Sequence, residues 1–281
     1  MPVQRLRPVD QLSVEHAAGV HTLITDIDDT VTTDGHLTAA AYLALERLHQ
    51  SGLRVMVTTG RPAGWCDHIA RMWPVDAVVG ENGAAYFWFD SASRKLKVHH
   101  HLNPAQRQEQ SVRLQAVAQQ VLEAVPGCAL ASDQFCRLYD LAIDYCEDVA
   151  RLDPAAVAQI VQIMQAAGMT AKVSSIHVNG WFGAYDKLSM SRTAMRDLFG
   201  LDLQAERERV IYVGDSPNDA PMFAYFPLSV GVANVRDFQN QMSDLPTFVT
   251  RARSGQGFAE LAEQLLAQRA GAGLAQGSVR R

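Results

Sequence analysis

The chain of 281 residues has few lysines, few cysteines and no long apolar run. A formal net charge of -5 lacks the basic excess that nucleic-acid binding requires. The four cysteines form no CxxC pair, so we expect reduced thiols rather than disulfides. No apolar run reaches the roughly 18 to 20 residues that a membrane helix needs, and the N-terminal segment lacks the apolar core of a secretory signal. These absences predict a cytoplasmic protein that binds neither nucleic acid nor a membrane.

Strand-like and helix-like segments alternate over the first part of the chain and again near its end. Apolar runs that end in polar residues occupy 20–30, 54–62 and 75–83, and helical apolar spacing separates them. A further run of this kind, 209–216, follows a helical pattern later in the chain. This alternation predicts an α/β fold built on a doubly wound parallel sheet.

The pattern changes in the middle of the chain, where an inserted domain is predicted. A hairpin around a DSAS turn, a helix over 104–124, short strands over 128–132 and 137–145, and a closing strand pair with a bend near Gly180 are typical of an α+β insertion. We therefore expect a core of residues 1–83 and 183–281 and a cap domain of residues 84–182. Within the core, residues 270–281 are rich in Gly, Ala and Ser and are expected to be a disordered tail.

Polar side chains cluster where predicted strands end. Asp26 and Asp28 follow the first strand, and Thr58 and Thr59 end the second, where the position next to Gly60 favours Thr59. Asp215, Asn218 and Asp219 follow the strand at 209–216. Ligands of open parallel sheets bind beyond the carboxyl ends of the strands, so these clusters can converge. Carboxylates held that close repel one another unless a cation lies between them, and a site of carboxylates and water suits Mg²⁺. Each motif alone is equally compatible with an ordinary turn or helix start.

The motifs together resemble those of the haloacid dehalogenase superfamily of phosphotransferases. The resemblance is carried by DIDDT at 26–30, TGRP at 59–62, GDSPND at 214–219 and Lys187, one of only four lysines in the chain. The sequence ENGA at 81–84 is similar to the branch with a large α/β cap, which includes sugar-phosphate phosphatases. The resemblance spans roughly residues 20–265 and implies a superfamily core with an inserted cap.

The resemblance implies a mechanism for hydrolysis of a phosphate ester. Asp26 is the expected nucleophile that forms an aspartyl-phosphate, and Asp28 is the expected general acid and base. Thr59 and Lys187 are expected to hold the phosphoryl oxygens. Asp26, the backbone carbonyl of Asp28, and Asp215 are expected to bind Mg²⁺, which offsets repulsion between carboxylate and phosphate.

The remaining site residues have roles that the resemblance leaves open. Asp219 is a candidate metal ligand, or a group that orients Lys187 or a metal-bound water, and Asn218 is a candidate phosphate contact. Gly60, Arg61 and Asn82 lie on predicted loops and are candidates for phosphate or substrate binding, with turn and helix-start roles as the alternative. One departure is Asp29, which stands where many cap-bearing relatives have Gly.

The last strand of the cap is expected to supply contacts to the substrate. Alternation along that strand places His177, Asn179 and Trp181 on one face. We expect His177 and Asn179 to contact the leaving group and consider Trp181 as a surface for sugar stacking. The alternative is that these side chains pack within the cap.

The predicted activity is Mg²⁺-dependent hydrolysis of a small phosphorylated metabolite, a sugar or polyol phosphate. A phosphosugar mutase similar to phosphomannomutases is one alternative. A regulatory binding protein on an inactive scaffold is another, although such a scaffold has no need of the full motif set. The sequence indicates neither the particular substrate nor an oligomeric state.

Overall fold

The computed structural model describes residues 6–174 and 176–278. Its strands are β1 (Arg7–Pro8), β2 (Thr22–Thr25), β3 (Thr32–Thr33), β4 (His36–Leu37), β5 (Arg54–Thr58), β6 (Ala77–Gly80), β7 (Ala85–Asp90), β8 (Lys95–His100), β9 (Ala129–Leu130), β10 (Asp140–Asp144), β11 (Thr170–Val173), β12 (His177–Trp181), β13 (Val210–Gly214), β14 (Leu228–Gly231) and β15 (Phe248–Val249). Its helices are α1 (Val14–Gly19), α2 (Ala39–Gln50), α3 (Ala63–Met72), α4 (Pro104–Ala124), α5 (Pro154–Ala166), α6 (Lys187–Phe199), α7 (Leu203–Glu206), α8 (Ala220–Tyr225) and α9 (Ser254–Ser278).

The chain divides into two compact units. The first unit comprises Met1–Thr58, Met72–Val78 and Arg192–Arg281, and the second comprises Thr59–Arg71 and Val79–Ser191. The chain therefore passes from one unit to the other within α3, β6 and α6, and directly after β5. The first unit holds most of the predicted core, and the second holds the whole predicted cap together with the loops that follow β5 and β6.

The first unit is built on a parallel sheet. Its strands follow the order β1-β15-β14-β13-β2-β5, and each neighbouring pair is parallel. In register, Thr22 of β2 pairs with Val210 of β13 on one side and with Arg54 of β5 on the other. β2 and β13 are thus adjacent and point the same way, which aligns the loops that follow them.

Helices cover both faces of this sheet. Ile211 and Val213 of β13 belong to a buried cluster that also contains residues of α1, α2 and α9. The intervening Tyr212 faces the opposite side, where its ring lies 5.7 Å from that of Phe223 and 5.9 Å from that of Phe226, the residue that follows α8. The alternation of β13 between two apolar layers is what a doubly wound sheet requires. The predicted fold class is therefore confirmed.

The second unit contains a hairpin and a four-stranded antiparallel sheet. β7 and β8 pair antiparallel around the predicted DSAS turn, with Ala85 opposite His100. The other sheet has the order β11-β12-β10-β9. α4 and α5 pack on one face of it through an apolar cluster that includes Val121, Ile160 and Met164. The opposite face carries the polar residues of β10 and β12.

Local sequence explains where the helices of the second unit begin. Asn103 and Gln106 form a reciprocal capping box ahead of Pro104, so α4 begins as predicted and ends at Ala124. The carboxylate of Asp153 likewise accepts a hydrogen bond from the backbone N–H of Ala156 at the start of α5. These caps satisfy backbone donors that have no partner within the helix.

Three expectations differ from the structure or fall outside it. The predicted bend near Gly180 is wrong, because Gly180 lies inside β12, where an added Cβ would stand 2.6 Å from the Met164 sulfur. α9 continues to Ser278, so a helix occupies 270–278, where the sequence predicts disorder, and the remaining tail residues 279–281 lie outside the described residues.

No helix among the described residues is both long and apolar enough to cross a membrane.

Candidate active site

Three aspartates of the first unit converge beyond the ends of β2 and β13. Asp26, Asp215 and Asp219 are all buried, and one carboxylate oxygen of each lies within 4.8 Å of the others. The parallel pairing of β2 with β13 brings Asp26 to the loop that contains the other two. The backbone N–H of Asp26 also donates to the carbonyl of Val213 at 2.9 Å. The hydrogen bonding between β2 and β13 thus extends to Asp26, the candidate nucleophile.

The loop after β13 is organised around the carboxylate of Asp219. Its Oδ2 accepts hydrogen bonds from the backbone N–H of Asp215 at 2.9 Å and of Ser216 at 3.3 Å. Its Oδ1 accepts a hydrogen bond of 2.6 Å from the hydroxyl of Tyr212. The same carboxylate lies over Gly214, where a Cβ would stand 2.5 Å from Oδ2. Asp219 therefore fixes the backbone that carries Asp215.

Asn218 occupies the outer side of the same loop. Its side-chain oxygen accepts a hydrogen bond of 2.9 Å from the Ser216 hydroxyl. Pro217 and Asn218 are only partly buried, in contrast to Asp219, which is fully buried. The predicted phosphate contact by Asn218 stays a prediction.

The loop after β2 turns sharply past Asp28. Asp28 is partly buried, and Asp29 has a φ of +55°, in the left-handed region where Gly is favoured. Asp is among the few residues that tolerate this conformation. Asp29 departs from the Gly expected from the resemblance, and both residues can adopt the left-handed turn that the chain makes here.

Thr30 and Asn234 orient Asp215. The Thr30 hydroxyl donates to Oδ1 of Asp215 at 3.3 Å, and the Asn234 side-chain amide donates to Oδ2 at 3.1 Å. The same amide donates to the Asp29 carbonyl at 2.9 Å. Sequence reasoning missed Asn234, although it follows the apolar run of β14, where another polar strand end could have signalled it.

The donor set of this cluster fits a hard divalent cation. Three buried carboxylates at this separation repel one another, and oxygen donors of this kind are the ligands that Mg²⁺ prefers. Asp26, Asp215 and Asp219 are the residues that could hold the ion. The Asp219 oxygens accept three hydrogen bonds from the protein and those of Asp215 accept two.

The loop after β5 belongs to the second unit and begins with Thr59. The Thr59 side-chain oxygen accepts a hydrogen bond of 2.9 Å from the Arg61 backbone N–H, so its own O–H remains a donor. The neighbouring Thr58, in the first unit, lies within β5 and directs its hydroxyl toward the Thr25 carbonyl at 3.5 Å. This difference favours Thr59 over Thr58 as a phosphate ligand.

The loop after β6 holds two left-handed residues, Glu81 and Asn82, with φ values of +42° and +56°. The Asn82 amide packs on Gly60, where an added Cβ would stand 3.2 Å from the side-chain oxygen, and it donates to Asp140 at 3.1 Å. The chain at Gly83 approaches the start of α6 so closely that a Cβ would lie 2.1 Å from the Asp186 carbonyl oxygen. Lys187, buried at the first position of α6, is thereby placed next to this loop.

Glu81 is a buried carboxyl that ties the loop to the cap. It accepts backbone hydrogen bonds from Ala63 and from three consecutive residues that lead into β10, Leu138, Tyr139 and Asp140. Burial, and then the nearby charge of Asp140, raise the pKa of Glu81 to about 8.

The polar face of the cap sheet carries His177 and Asn179, both buried. Asn179 donates to Oδ2 of Asp140 at 3.4 Å, so it meets Asn82 at the same carboxylate. Trp181 is 2% exposed and stacks on Tyr185 with ring centroids 5.8 Å apart. Trp181 therefore packs within the cap, as the alternative expectation had it, and neither face of its ring is free to stack on a sugar.

A sequence model of the haloacid dehalogenase-like hydrolases matches residues 23–118 and 192–260, more than half of the chain. The chain belongs to the haloacid dehalogenase-like hydrolases. This membership confirms the resemblance drawn from the motifs. No curated protein matches the sequence of this chain.

Solved structures share the fold at low sequence identity. A protein from Thermoplasma acidophilum has a TM-score of 0.65 at 18% identity over 88% of this chain and 98% of that one. A Synechocystis sucrose-phosphatase, solved with sucrose and phosphate, has a TM-score of 0.59 at 15% identity over 87% and 97%. A sugar phosphatase of subclass IIB of the superfamily has a TM-score of 0.58 at 13% identity over 90% and 99%. At these identities the likeness shows a common fold.

Proposed function

We propose that the protein is a Mg²⁺-dependent phosphomonoesterase that acts on a sugar or polyol phosphate. The convergence of Asp26, Asp215 and Asp219 within 4.8 Å supports this most directly, because it joins the motif aspartates of a hydrolase family in one cluster. The sugar-phosphate assignment is supported by structural neighbours described as a sucrose-phosphatase and a sugar phosphatase.

In the proposed reaction a carboxylate oxygen of Asp26 attacks phosphorus, and the bond from phosphorus to the ester oxygen breaks. Asp28 donates a proton to the leaving oxygen and then takes one from the water that hydrolyses the aspartyl-phosphate. Asp26 is held by β2 and by its backbone hydrogen bond to Val213, which limits its freedom before attack. Mg²⁺ held by Asp26 and Asp215, with Asp219 and the Asp28 carbonyl as further candidates, would neutralise charge between carboxylate and phosphate.

Thr59 and Lys187 are proposed to bind the equatorial phosphoryl oxygens, where charge spreads in the transition state. The free O–H of Thr59 and the ammonium of Lys187 are both donors, as this role requires. Gly60 and Asn218 are proposed phosphate contacts, and Arg61, Asn82, His177 and Asn179 are proposed substrate contacts.

Phosphate release from a panel of phosphorylated metabolites, with Mg²⁺ and without a bisphosphate activator, tests the proposal. We expect free phosphate from sugar or polyol monophosphates and no turnover with Asp26→Asn. Asp34→Asn is the matched control, since it removes an exposed carboxylate of the same unit. Release of phosphate by the Asp26 variant at the wild-type rate would exclude the mechanism. Transfer of phosphate between sugar positions without release would favour a mutase.

A further inference from the structure

Arg137 is a buried arginine of the second unit that lies outside the sequence motifs. Its side chain is 1% exposed. Its Nε and Nη2 each lie 3.1 Å from Oδ1 of Asp133, and its Nη1 donates to Oδ1 of Asp140 at 2.9 Å. The same Nη1 donates to the Gly60 carbonyl at 2.8 Å. Two carboxylates therefore hold the guanidinium in one orientation, and one of its donors is directed at the backbone of the loop after β5.

The Gly60 carbonyl belongs to the peptide unit that also contains the backbone N–H of Arg61. This N–H donates to the side-chain oxygen of Thr59 at 2.9 Å. A trans peptide unit is planar, so its carbonyl and its N–H point in opposite directions and rotate together. The hydrogen bond from Arg137 to the carbonyl therefore sets the direction from which the N–H approaches Thr59.

The hydrogen bond to Thr59 in turn determines where its hydroxyl can donate. The Thr59 oxygen accepts from the Arg61 N–H, so the O–H is the donor that remains for a ligand. Gly60 has no side chain that restricts rotation of the peptide unit. A contact from outside the loop must then hold this peptide unit, and Arg137 supplies that contact.

Asp140 joins this contact to a second one on the same loop. Its Oδ2 accepts a hydrogen bond of 3.1 Å from the Asn82 side-chain amide. The backbone N–H of Asn82 donates to the Thr59 carbonyl at 3.1 Å. The carbonyls of Thr59 and Gly60 are thus each held by a residue that is bonded to the buried carboxylate of Asp140.

We propose that Arg137 is a positioning residue for Thr59. Through the peptide unit between Gly60 and Arg61, it directs the Thr59 O–H toward the phosphoryl group and does not itself contact the substrate. Asp140 contributes by holding the guanidinium. This inference rests on the proposed phosphatase function, in which Thr59 binds a phosphoryl oxygen.

A double-mutant cycle with Arg137→Lys and Thr59→Val tests this role. Lysine keeps the positive charge, but its single ammonium lacks the fork of donors with which Arg137 reaches two carboxylates and a carbonyl together. With phenyl phosphate and Mg²⁺, Arg137→Lys should lower kcat/KM about tenfold when Thr59 is present and less than about twofold in the Thr59→Val background. Arg94→Lys, which alters an exposed arginine of the same unit, is the control and should leave kcat/KM unchanged.

The comparison between the two backgrounds separates positioning from a merely structural role. A structural role lowers kcat/KM by the same factor with and without the Thr59 hydroxyl, so equal factors would overturn the proposal. The melting temperature of each variant shows whether it folds. If Arg137→Lys does not fold, Asp140→Asn replaces it in the cycle, because it removes a charge that holds Arg137 and keeps the size of the side chain. Its loss of kcat/KM should likewise require Thr59, and equal losses in both backgrounds would contradict the role of Arg137.

A binding measurement distinguishes failure of this inference from failure of the proposed function. If the wild type releases phosphate from no ester, the proposed function is wrong, and the same cycle is measured on the dissociation constant of inorganic phosphate by calorimetric titration. Arg137→Lys should then raise that constant only when Thr59 is present. Equal increases in both backgrounds, or no binding of phosphate by the wild type, would show that Arg137 does not position Thr59.

Discussion

At the residue scale, the loops that carry the candidate site hold backbone in an unfavourable conformation. Asp29, Glu81 and Asn82 have positive φ values, which cost side-chain-bearing residues roughly 1–2 kcal/mol each. Such residues persist where surrounding contacts over-determine them, as the four backbone hydrogen bonds to Glu81 do. The strain indicates that contacts with surrounding residues maintain the shapes of the loops after β2 and β6. The conformational preferences of the loop residues themselves do not.

The lack of a side chain at Gly214 leaves the space that the Asp219 carboxylate of the cluster occupies. In Gly214→Ala the new Cβ would stand 2.5 Å from Oδ2 of Asp219, so the carboxylate must move and release the N–H groups of Asp215 and Ser216. We expect kcat to fall at least about tenfold and the Mg²⁺ concentration for half-maximal activity to rise. Steady-state kinetics across a Mg²⁺ titration measures both.

Gly19→Ala is the control for this substitution, because a Cβ at Gly19 of α1 meets nothing within 4 Å. It should leave the Mg²⁺ dependence unaltered. An unchanged Mg²⁺ dependence in Gly214→Ala would show that Asp219 does not position the metal ligands.

Residue-level prediction from sequence succeeds where contacts are encoded within short motifs. Asp26, Asp215 and Asp219 could be grouped because each follows a recognisable strand. The partners that residues find across the chain could not be predicted in the same way. Asn234 contacts Asp215 and Glu147 contacts Arg61, and no spacing rule indicates such pairs between residues far apart in the chain.

At the element scale, Asp144 connects the end of β10 to the turn that follows. Asp144→Ala removes three backbone hydrogen bonds to a buried carboxylate, and we expect the free energy of unfolding to fall by about 2–4 kcal/mol. Urea denaturation followed by circular dichroism measures the change.

Asp148→Ala, in the same turn but with an exposed side chain, should change the free energy of unfolding by less than about 0.5 kcal/mol. Equal effects of the Asp144 and Asp148 substitutions would contradict the assigned role of Asp144.

Element boundaries followed from sequence where end signals are strong. α4 spans Pro104–Ala124 as predicted because Asn103, Pro104 and Gln106 specify its start. The short strands of the cap were predicted less accurately: β9 comprises only Ala129–Leu130, which pair with Asp144 and Ile143 of β10. Strand length depends on a partner strand, and the partner is not visible in the local sequence.

At the scale of the whole molecule, the carboxylate cluster couples stability to metal binding. Three buried like charges oppose folding, and a cation that binds only the folded state stabilises it by mass action. Saturation at about one hundred times the dissociation constant should contribute about 2.7 kcal/mol, seen as a higher melting temperature in calorimetry. Removal of divalent ions with a chelator should reverse the increase.

The variant Asp215→Asn should lose most of this Mg²⁺-dependent increase, whereas Asp34→Asn should retain it. An increase of wild-type size in Asp215→Asn would place the ion elsewhere in the molecule.

The overall architecture was predictable because the alternation of strands and helices is a strong signal over long segments. The edge of the sheet was not: Arg7 and Pro8 form β1 beside β15, although nothing in those two residues indicates a strand. The pairing arises from Phe248 and Val249, which the sequence places near the opposite end of the chain.

The pairing of Thr22 with Val210 has a consequence for biosynthesis. β2 leaves the ribosome long before its neighbour β13 exists, and the second unit, which ends at Ser191, is fully translated in between. Until then one side of β2 exposes unpaired backbone, which invites association with other nascent chains. The carboxylate cluster is thus completed late in synthesis, so a truncated translation product that ends before β13 carries Asp26 but lacks Asp215.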